Sequence, residues 1–358
     1  MSHLAFDAKL HTIAAALAGA SSSIDRPEDL ARWDRRCGRC CRFRLWPAQT
    51  RSGRRRSHRG DTPRLWRAGL WVRANAKRPA VAQTVGVPKL IRDGIALAYE
   101  EAGRGAPALV FVHGLACHRG FWAEQVKHFS RHYRVLAVDL RGHGDSDAPE
   151  QRYTMQLLAD DVAWMCSQLG IERPVVVGHS LGGLVGLELA AGHGQQVRAV
   201  TLVDSILLVP CVRAGFVREL VAALRSADAS RALREYYSTF FGPHDDPARM
   251  AWILDEIIRT PAHVTSSILE DSVQSWDDAD ALARCEVPLL YLDASTPNAD
   301  LARATKLQPQ LAVGRTIGSG HFSPCEVPEQ INAMLERFLA VGLEQKIDDH
   351  SAERRRCR

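Results

Sequence analysis

Residues 174–186 read Pro-Val-Val-Val-Gly-His-Ser-Leu-Gly-Gly-Leu-Val-Gly, and this stretch decides the fold. Its three consecutive valines predict a short strand buried on both faces, because such strands are apolar without alternation. From Leu181 onward, apolar residues recur with a helical period. Ser180 therefore stands at a tight turn between a strand and a helix, within a Gly-x-Ser-x-Gly pattern.

The residue types around Ser180 suit a nucleophile that is presented at a sharp turn. A strained backbone at the serine leaves no room for side chains two residues away, and Gly178 and Gly182 have none. The serine also precedes a helix N-terminus, whose N–H groups and dipole stabilise developing negative charge. A turn that contains serine by chance is the alternative, and the flanking strand and helix favour the catalytic interpretation.

The length of 358 residues allows one large α/β domain with an appendage. Hydrophobic residues make up 46% and charged residues 24%, which indicates an ordinary globular protein. Because no run of about 18 apolar residues occurs, we expect no membrane span. The cysteines are odd in number and scattered, which favours reduced thiols and a cytoplasmic location over a disulfide framework. They are Cys37, Cys40, Cys41, Cys117, Cys166, Cys211, Cys285, Cys325 and Cys357.

The charge of the chain is divided between a basic N-terminal segment and an acidic remainder. Residues 1–80 hold 18 Lys and Arg against 6 Asp and Glu, whereas the remainder holds 28 against 35. The acidic body carries no basic footprint, so we expect no nucleic acid as a partner. We interpret residues 1–84 as a basic, disordered extension, because they lack the patterned apolar residues that offset ordering entropy.

Other interpretations of this extension stay open. Its arginines and tryptophans could form a basic arm for nucleic acid. The cluster Cys37, Cys40 and Cys41 could bind a metal ion, although a fourth ligand at usable spacing is not evident. The alanine-rich run 13–20 could belong to a signal peptide, and the whole segment could be an artefact of the assigned gene start.

The chain after residue 85 predicts strands that alternate with helices. Asp93-Gly94 predicts the turn of an antiparallel hairpin. Such alternation implies right-handed crossovers and a mostly parallel sheet with helices on both faces. We place Asp160 and Asp161 on the exposed face of one of these helices. The expected strands are 108–113, 133–138, 175–177 and 197–203, and the expected helices are 121–129, 153–169 and the one after Ser180.

The alternation stops within about residues 206–285, where only helices are predicted, at 211–225, 231–241, 247–259 and 262–276. A helical insert between two strands is expected to form a cap over a pocket. Its aromatic residues line either that pocket or the core of the cap: Phe216, Tyr236, Tyr237, Phe240, Phe241, Trp252 and Trp276. Strands are expected to resume at 287–292 and 311–317, before a last helix, 328–343, and a charged, frayed tail, 344–358.

Four separated motifs resemble those of the α/β-hydrolase family and follow its order. They are His113-Gly114, Arg141-Gly142-His143-Gly144, the Gly-His-Ser-Leu-Gly elbow at 178–182, and Gly320-His321. The resemblance covers residues 85–343. It implies an eight-stranded, mostly parallel sheet with a helical cap inserted after the sixth strand.

The resemblance also implies roles for individual residues. Ser180 matches the nucleophile and His321 matches the general base, since a serine hydroxyl needs an imidazole to accept its proton. The backbone N–H groups of Leu115 and Leu181 match the oxyanion hole. These roles imply a catalytic triad that requires neither a metal ion nor an organic cofactor.

The acid of the triad is where the chain departs from the family pattern. Register with that pattern puts Thr296 in the place of the acid, and a hydroxyl cannot stabilise an imidazolium as a carboxylate does. Asp204, after the sixth strand, matches an alternative acid position and is the preferred candidate. Asp293 and Asp300 stay as alternatives, as does a Ser–His dyad without an acid.

His118 and Trp122 follow the oxyanion loop, and we predict that they contact substrate, with ordinary packing as the alternative. The expected partner is a small acyl compound.

The resemblance predicts a serine hydrolase of a carboxylic ester or lactone that forms an acyl-enzyme. Carbon–carbon hydrolases, amidases and cofactor-free haloperoxidases also use serine and stay as alternatives, whereas related dehalogenases and epoxide hydrolases need aspartate at the elbow. A catalytically silent member that binds a partner, with residues 32–79 as its contact surface, is the alternative from another class. The sequence does not indicate the oligomeric state or the substrate.

Overall fold

The computed structural model describes residues 86–343 apart from 209, 243, 296 and 297, and gives only the backbone of 210–216, 273 and 274. The predictions for residues 1–84 lie outside this range, including the cluster Cys37, Cys40 and Cys41. The tail 344–358 and Thr296 also lie outside the described residues.

One eight-stranded sheet organises the described residues, in the order β1-β2-β4-β3-β5-β6-β7-β8. Strand β2 pairs antiparallel with both β1 and β4, and the remaining neighbours are parallel. This arrangement confirms the predicted fold class. The strands are β1 (Lys89–Arg92), β2 (Ile95–Ala102), β3 (Leu109–Val112), β4 (Val135–Val138), β5 (Val175–His179), β6 (Ala199–Val203), β7 (Leu289–Asp293) and β8 (Ala312–Arg315).

Helices account for most of the remaining described residues. They are α1 (Ala123–Phe129), α2 (Met155–Gln168), α3 (Leu181–His193), α4 (Pro210–Leu224), α5 (Ala229–Ser238), α6 (Pro247–Ile257), α7 (Ala262–Gln274), α8 (Asp278–Arg284), α9 (Leu301–Leu307), α10 (Ser323–Glu326) and α11 (Pro328–Arg337). Short 3-10 turns cover Arg119–Trp122 and Gly194–Gln196, and a π-helical turn covers Phe338–Gly342. Among the described residues, none of these helices is long and apolar enough to cross a membrane.

The central strands are buried on both faces, which explains their continuous apolar sequences. In β3, Val110 and Val112 pack into one apolar cluster together with residues of α2 and α3. Leu109 and Phe111 point the other way and pack with residues of α1 and α11. Because successive side chains of a strand alternate between faces, a strand between two helical layers must be apolar at every position.

Five helices, α4 to α8, form an insert between β6 and β7, which we call the helical insert. The sequence predicted four helices here and missed α8. Asp277 begins this helix by accepting the N–H groups of Ala279 at 2.9 Å and Asp280 at 3.2 Å. With seven residues, α8 is too short for an apolar period to be recognised.

The prediction that Asp161 lies on an exposed face of α2 is wrong. Its side chain is buried, and its carboxylate accepts two hydrogen bonds from Arg141 and one from Arg92, each at 2.8 Å. The neighbouring Asp160 is half-buried and accepts from Gln156 at 2.8 Å. Two guanidinium groups from β1 and the turn after β4 balance the charge of Asp161, which makes burial of the carboxylate possible.

The cysteines that the structure describes agree with the prediction of free thiols. Cys117, Cys166, Cys285 and Cys325 form no disulfide with one another. Burial raises the pKa of Cys166 and of Cys325 to about 12 in each case, so both thiols are protonated at neutral pH. A buried, protonated thiol is a poor nucleophile, which leaves Ser180 as the stronger candidate for that role.

Candidate active site

Ser180 lies between β5 and α3 with φ 51° and ψ −117°. A positive φ is strained for any residue with a side chain, and such strain marks a nucleophile elbow. The two flanking glycines have no room for a side chain. A Cβ atom on Gly178 would lie 2.1 Å from the carbonyl of Gly182, and one on Gly182 would lie 2.1 Å from the carbonyl oxygen of Val112. These distances agree with the steric reason predicted for both glycines.

His321 and Asp204 meet at the carboxyl end of the parallel strands. Asp204 directly follows β6, and His321 lies in the loop after β8. His321 Nδ1 lies 2.6 Å from Asp204 Oδ2, and both side chains are buried. When Nδ1–H donates to the carboxylate, Nε2 is the ring nitrogen that can accept a proton. The structure therefore brings Asp204, the acid candidate preferred from the sequence, into contact with His321.

Two residues of the loop after β7 orient the Asp204 carboxylate. Asn298 Nδ2 donates to Oδ2 at 2.8 Å, and the N–H of Ala294 lies 3.4 Å from Oδ1. The backbone of Asp204 has φ 48°, and its N–H donates to the carbonyl of Leu292 at 2.8 Å. Asn298 was not predicted, because no local pattern marks a residue whose role depends on contact between two loops.

The other two carboxylates have partners elsewhere. Asp293, at the end of β7, accepts from Arg315 Nε at 2.9 Å, and burial raises the pKa of Asp293. Asp300 begins α9 by accepting the N–H of Arg303 at 3.0 Å. The geometry therefore gives each of them a structural contact and does not bring either to His321.

His179 connects the elbow to the loop that carries His321. Its Nε2 lies 2.8 Å from the carbonyl oxygen of His321, and the two ring centroids are 4.7 Å apart. Burial, followed by the nearby His321 ring, lowers the pKa of His179 well below its ordinary value. The ring is therefore neutral and donates its Nε2–H to the carbonyl. The hydrogen bond and the burial give His179 a structural role between the elbow and the loop that carries His321.

The predicted oxyanion residues lie beside the serine. Leu181 is the first residue of α3, directly after Ser180. A Cβ atom on Gly114 would lie 3.3 Å from Ser180 Cβ, so the main chain that leads into Leu115 passes against the serine. The two predicted N–H donors therefore belong to segments that flank Ser180 at the ends of β3 and β5.

The helical insert contacts the loop that carries Leu115 and Ala116. Tyr237 Oη donates to the carbonyl of Leu115 at 2.6 Å, and Thr260 Oγ1 donates to the carbonyl of Ala116 at 3.3 Å. Burial raises the pKa of Tyr237 well above its ordinary value, so its hydroxyl stays a donor at neutral pH. The aromatic ring of Phe240, also from the insert, lies 4.6 Å from the His321 ring between centroids.

His118 and Trp122 lie in different surroundings. His118 is half-buried, accepts the N–H of Gly120 at 3.1 Å and has its Nε2 3.3 Å from Glu256 Oε2 of the insert, an ion-pair distance without hydrogen-bond geometry. Trp122 is wholly buried in the cluster on the α1 face, with its ring centroid 5.0 Å from that of Phe111. Core packing alone is enough to explain the position of Trp122. Substrate contact by His118 stays a prediction.

A family model for the alpha/beta hydrolase fold matches residues 107–326. The chain belongs to the α/β-hydrolase family. The hydrolase is 28% identical over 255 residues to 3-oxoadipate enol-lactonase 1 of Acinetobacter baylyi, a match that covers 69% of this chain and 94% of the relative. Over the residues that the structure describes, no group of three His, Cys, Asp or Glu side chains could hold a metal ion.

Solved structures agree with this assignment. The enol-lactonase of Burkholderia xenovorans LB400 is similar with a TM-score of 0.63 and 26% identity, over 71% of this hydrolase and 100% of that chain. An esterase of Rhodococcus sp. is similar with a TM-score of 0.62 and 26% identity, over 71% of this hydrolase and 98% of that chain. Both matches extend over almost the whole length of the solved chain.

Proposed function

We propose that this hydrolase cleaves a carboxylic ester or a lactone through an acyl-enzyme on Ser180. The observation that carries the proposal is the 2.6 Å contact between His321 and Asp204, at the same end of the sheet as the strained Ser180. Similarity to enol-lactonases and esterases supports an ester or lactone substrate. Serine at the elbow favours attack on an acyl carbon.

The proposed reaction has two halves. The Oγ of Ser180 attacks the carbonyl carbon while His321 Nε2 takes the hydroxyl proton, and Asp204 stabilises the imidazolium. The N–H groups of Leu115 and Leu181 bind the oxyanion of the tetrahedral intermediate. His321 then gives its proton to the leaving alkoxide, and the C–O bond breaks. In the second half, water loses a proton to His321 and attacks the acyl carbon. His321 then returns that proton to Ser180 Oγ as the bond between Oγ and the acyl carbon breaks, which releases the acid and restores the serine.

We also propose that the helical insert acts as a cap that shapes the substrate site. Its Tyr237 and Phe240 lie against the oxyanion loop and the His321 ring respectively, which supports this role. The insert would then choose the acyl or alkyl group of the substrate, while the residues at the ends of the strands carry out the chemistry.

The test is hydrolysis of p-nitrophenyl acetate by the wild type and by Ser180→Ala. We expect activity to fall by more than about 1,000-fold in Ser180→Ala, because removal of a triad nucleophile leaves only binding and the oxyanion hole. Ser226→Ala, at an exposed position, is the matched control and should keep wild-type activity. A fluorophosphonate should label the wild type at Ser180; absence of labelling in the folded protein would favour the binding-protein alternative.

A further inference from the structure

Glu326, the last residue of α10, binds the backbone on both sides of His321. Its Oε1 accepts the N–H of Phe322 at 2.9 Å, and its Oε2 accepts the N–H of Gly320. The N–H of His321 itself donates to the carbonyl of Phe240 in the helical insert at 3.1 Å. Three successive N–H groups of this loop are therefore bound, two of them by a single carboxylate, and their positions set where the imidazole ring stands.

The helical insert places a second acid, Asp245, against Glu326. Asp245 lies close enough to Glu326 to raise the pKa of that carboxyl group, and a hydrogen bond between the two acids needs a proton on one of them. Asp245 also accepts the N–H of Gly242 at 2.5 Å and has Arg249 3.8 Å from its other oxygen. Arg249 in turn donates to the carbonyl of Cys325 at 3.3 Å, so the insert contacts the loop next to Glu326 at two points.

The charge state of Glu326 changes near neutral pH. Burial raises the pKa of Glu326 to about 7; the N–H groups of Gly320 and Phe322 oppose the rise and Asp245 adds to it. Arg249, 3.8 Å from Asp245, and the protonated thiol of Cys325 also face this pair. Below about pH 7 Glu326 therefore holds a proton, and above it the Glu326 carboxylate faces Asp245 in a partly buried site.

We propose that Glu326 is a positioning residue for His321, and that the proton it shares with Asp245 fastens the histidine loop to the helical insert. The inference rests on the proposed function, in which His321 is the general base. Loss of the proton sets two negative charges against each other, and the insert and the loop then separate where Asp245 meets Glu326. The activity of the hydrolase thereby depends on a carboxyl pair that does not touch the substrate.

The first test measures activity. Glu326→Ala should lower kcat for p-nitrophenyl acetate by about tenfold or more with KM within about twofold, because a displaced base slows proton transfer and leaves binding intact. Glu326→Gln should recover much of the loss, since its amide oxygen accepts one loop N–H and its amide NH2 can donate to Asp245. Glu329→Gln, an exposed acid three residues away, is the matched control and should match the wild type.

The second test does not depend on activity. The folded pKa of Glu326, about 7, exceeds its ordinary value of 4.5, so the folded state holds a proton that the unfolded state loses. The contribution of Glu326 to stability therefore falls as pH rises from about 4.5 to about 7. In urea unfolding, this part of the pH dependence should disappear in Glu326→Gln and persist in Glu329→Gln. It should become smaller in Asp245→Asn, because burial still raises the pKa of Glu326 there.

A third measurement observes His321 directly. The Nδ1–H proton between His321 and Asp204 should shift in the NMR spectrum of Glu326→Gln and stay unchanged in Glu329→Gln. Wild-type kcat in Glu326→Ala, or an unmoved Nδ1–H signal together with an unchanged pH dependence of unfolding, would overturn the proposal. If the wild type cleaves no ester, the proposed function fails, yet the unfolding and NMR measurements still decide the role of Glu326. If Glu326→Ala does not fold, the measurements on Glu326→Gln and Asp245→Asn test the proposal.

Discussion

Replacing Asp204 with Asn should reduce kcat by about three orders of magnitude and leave KM nearly unchanged. In the wild type, Oδ2 accepts from both His321 and Asn298, whereas Oδ1 has only the 3.4 Å contact with Ala294. An asparagine can therefore set its oxygen in the Oδ2 position and its NH2 group near Ala294. This orientation keeps the histidine tautomer that catalysis needs, so the loss comes from the missing charge.

The size of the effect follows from the burial of the pair. Imidazolium and carboxylate charges centred about 4 Å apart attract by about 4 kcal/mol at an effective dielectric constant of about 20. Because each tenfold change in rate corresponds to about 1.4 kcal/mol, the loss is about 1,000-fold. Solvent screening does not reduce it, since the side chains of Asp204 and His321 are 0% and 4% exposed.

The assay compares Asp204→Asn with Asp293→Asn and Asp300→Asn, both by hydrolysis of p-nitrophenyl acetate and by the rate of fluorophosphonate labelling. Asp300→Asn is a close control, because asparagine begins helices as well as aspartate does. Both controls should keep activity within about threefold of the wild type. An Asp204→Asn protein within tenfold of wild-type kcat, or an equal loss in Asp293→Asn, would refute the assignment of the acid.

Two further changes test the fold around the site by urea unfolding. Gly182→Ala should lower the free energy of unfolding by about 3 kcal/mol or more, since the new Cβ would meet the carbonyl oxygen of Val112 at 2.1 Å. Gly194→Ala, which meets nothing within 4 Å, should be nearly neutral, and equal effects would contradict the steric argument. Asp161→Asn should cost about 3 kcal/mol because it removes the buried charge that Arg141 and Arg92 both contact at 2.8 Å. Asp160→Asn should stay within about 0.5 kcal/mol, and a larger cost there than at Asp161 would contradict the burial argument.

The elbow was predictable because its requirements are local. The spacing of Gly178, Ser180 and Gly182 reflects clashes within one turn and with the adjacent β3, and the apolar runs before and after reflect burial on both faces. The mostly parallel, eight-stranded sheet followed from the alternation of elements and from the family resemblance. His321 was found in the same way, from flanking residues and its place before the last helix.

The sequence favoured Asp204 as the acid but could not exclude Asp293, because the two residues stand at the ends of neighbouring parallel strands. The two residues differ in their partners. Asp293 stands opposite Arg315 in the register between β7 and β8 and pairs with it, whereas the Asp204 side chain contacts His321. The burial of Asp161 escaped prediction for a related reason. Its two arginine partners lie 20 and 69 residues away in the chain, beyond any helical period.

The contacts of the helical insert also bear on how such proteins diversify. Tyr237 holds the carbonyl of Leu115, and the carbonyl of Phe240 receives the N–H of His321. Exchange of this insert with that of a relative would therefore remove contacts to the loops that carry Leu115 and His321, in addition to changing the proposed cap. Grafting a new specificity onto this scaffold requires that hydroxyl and that carbonyl to be rebuilt at the same places, so selectivity and turnover cannot be engineered as separate modules.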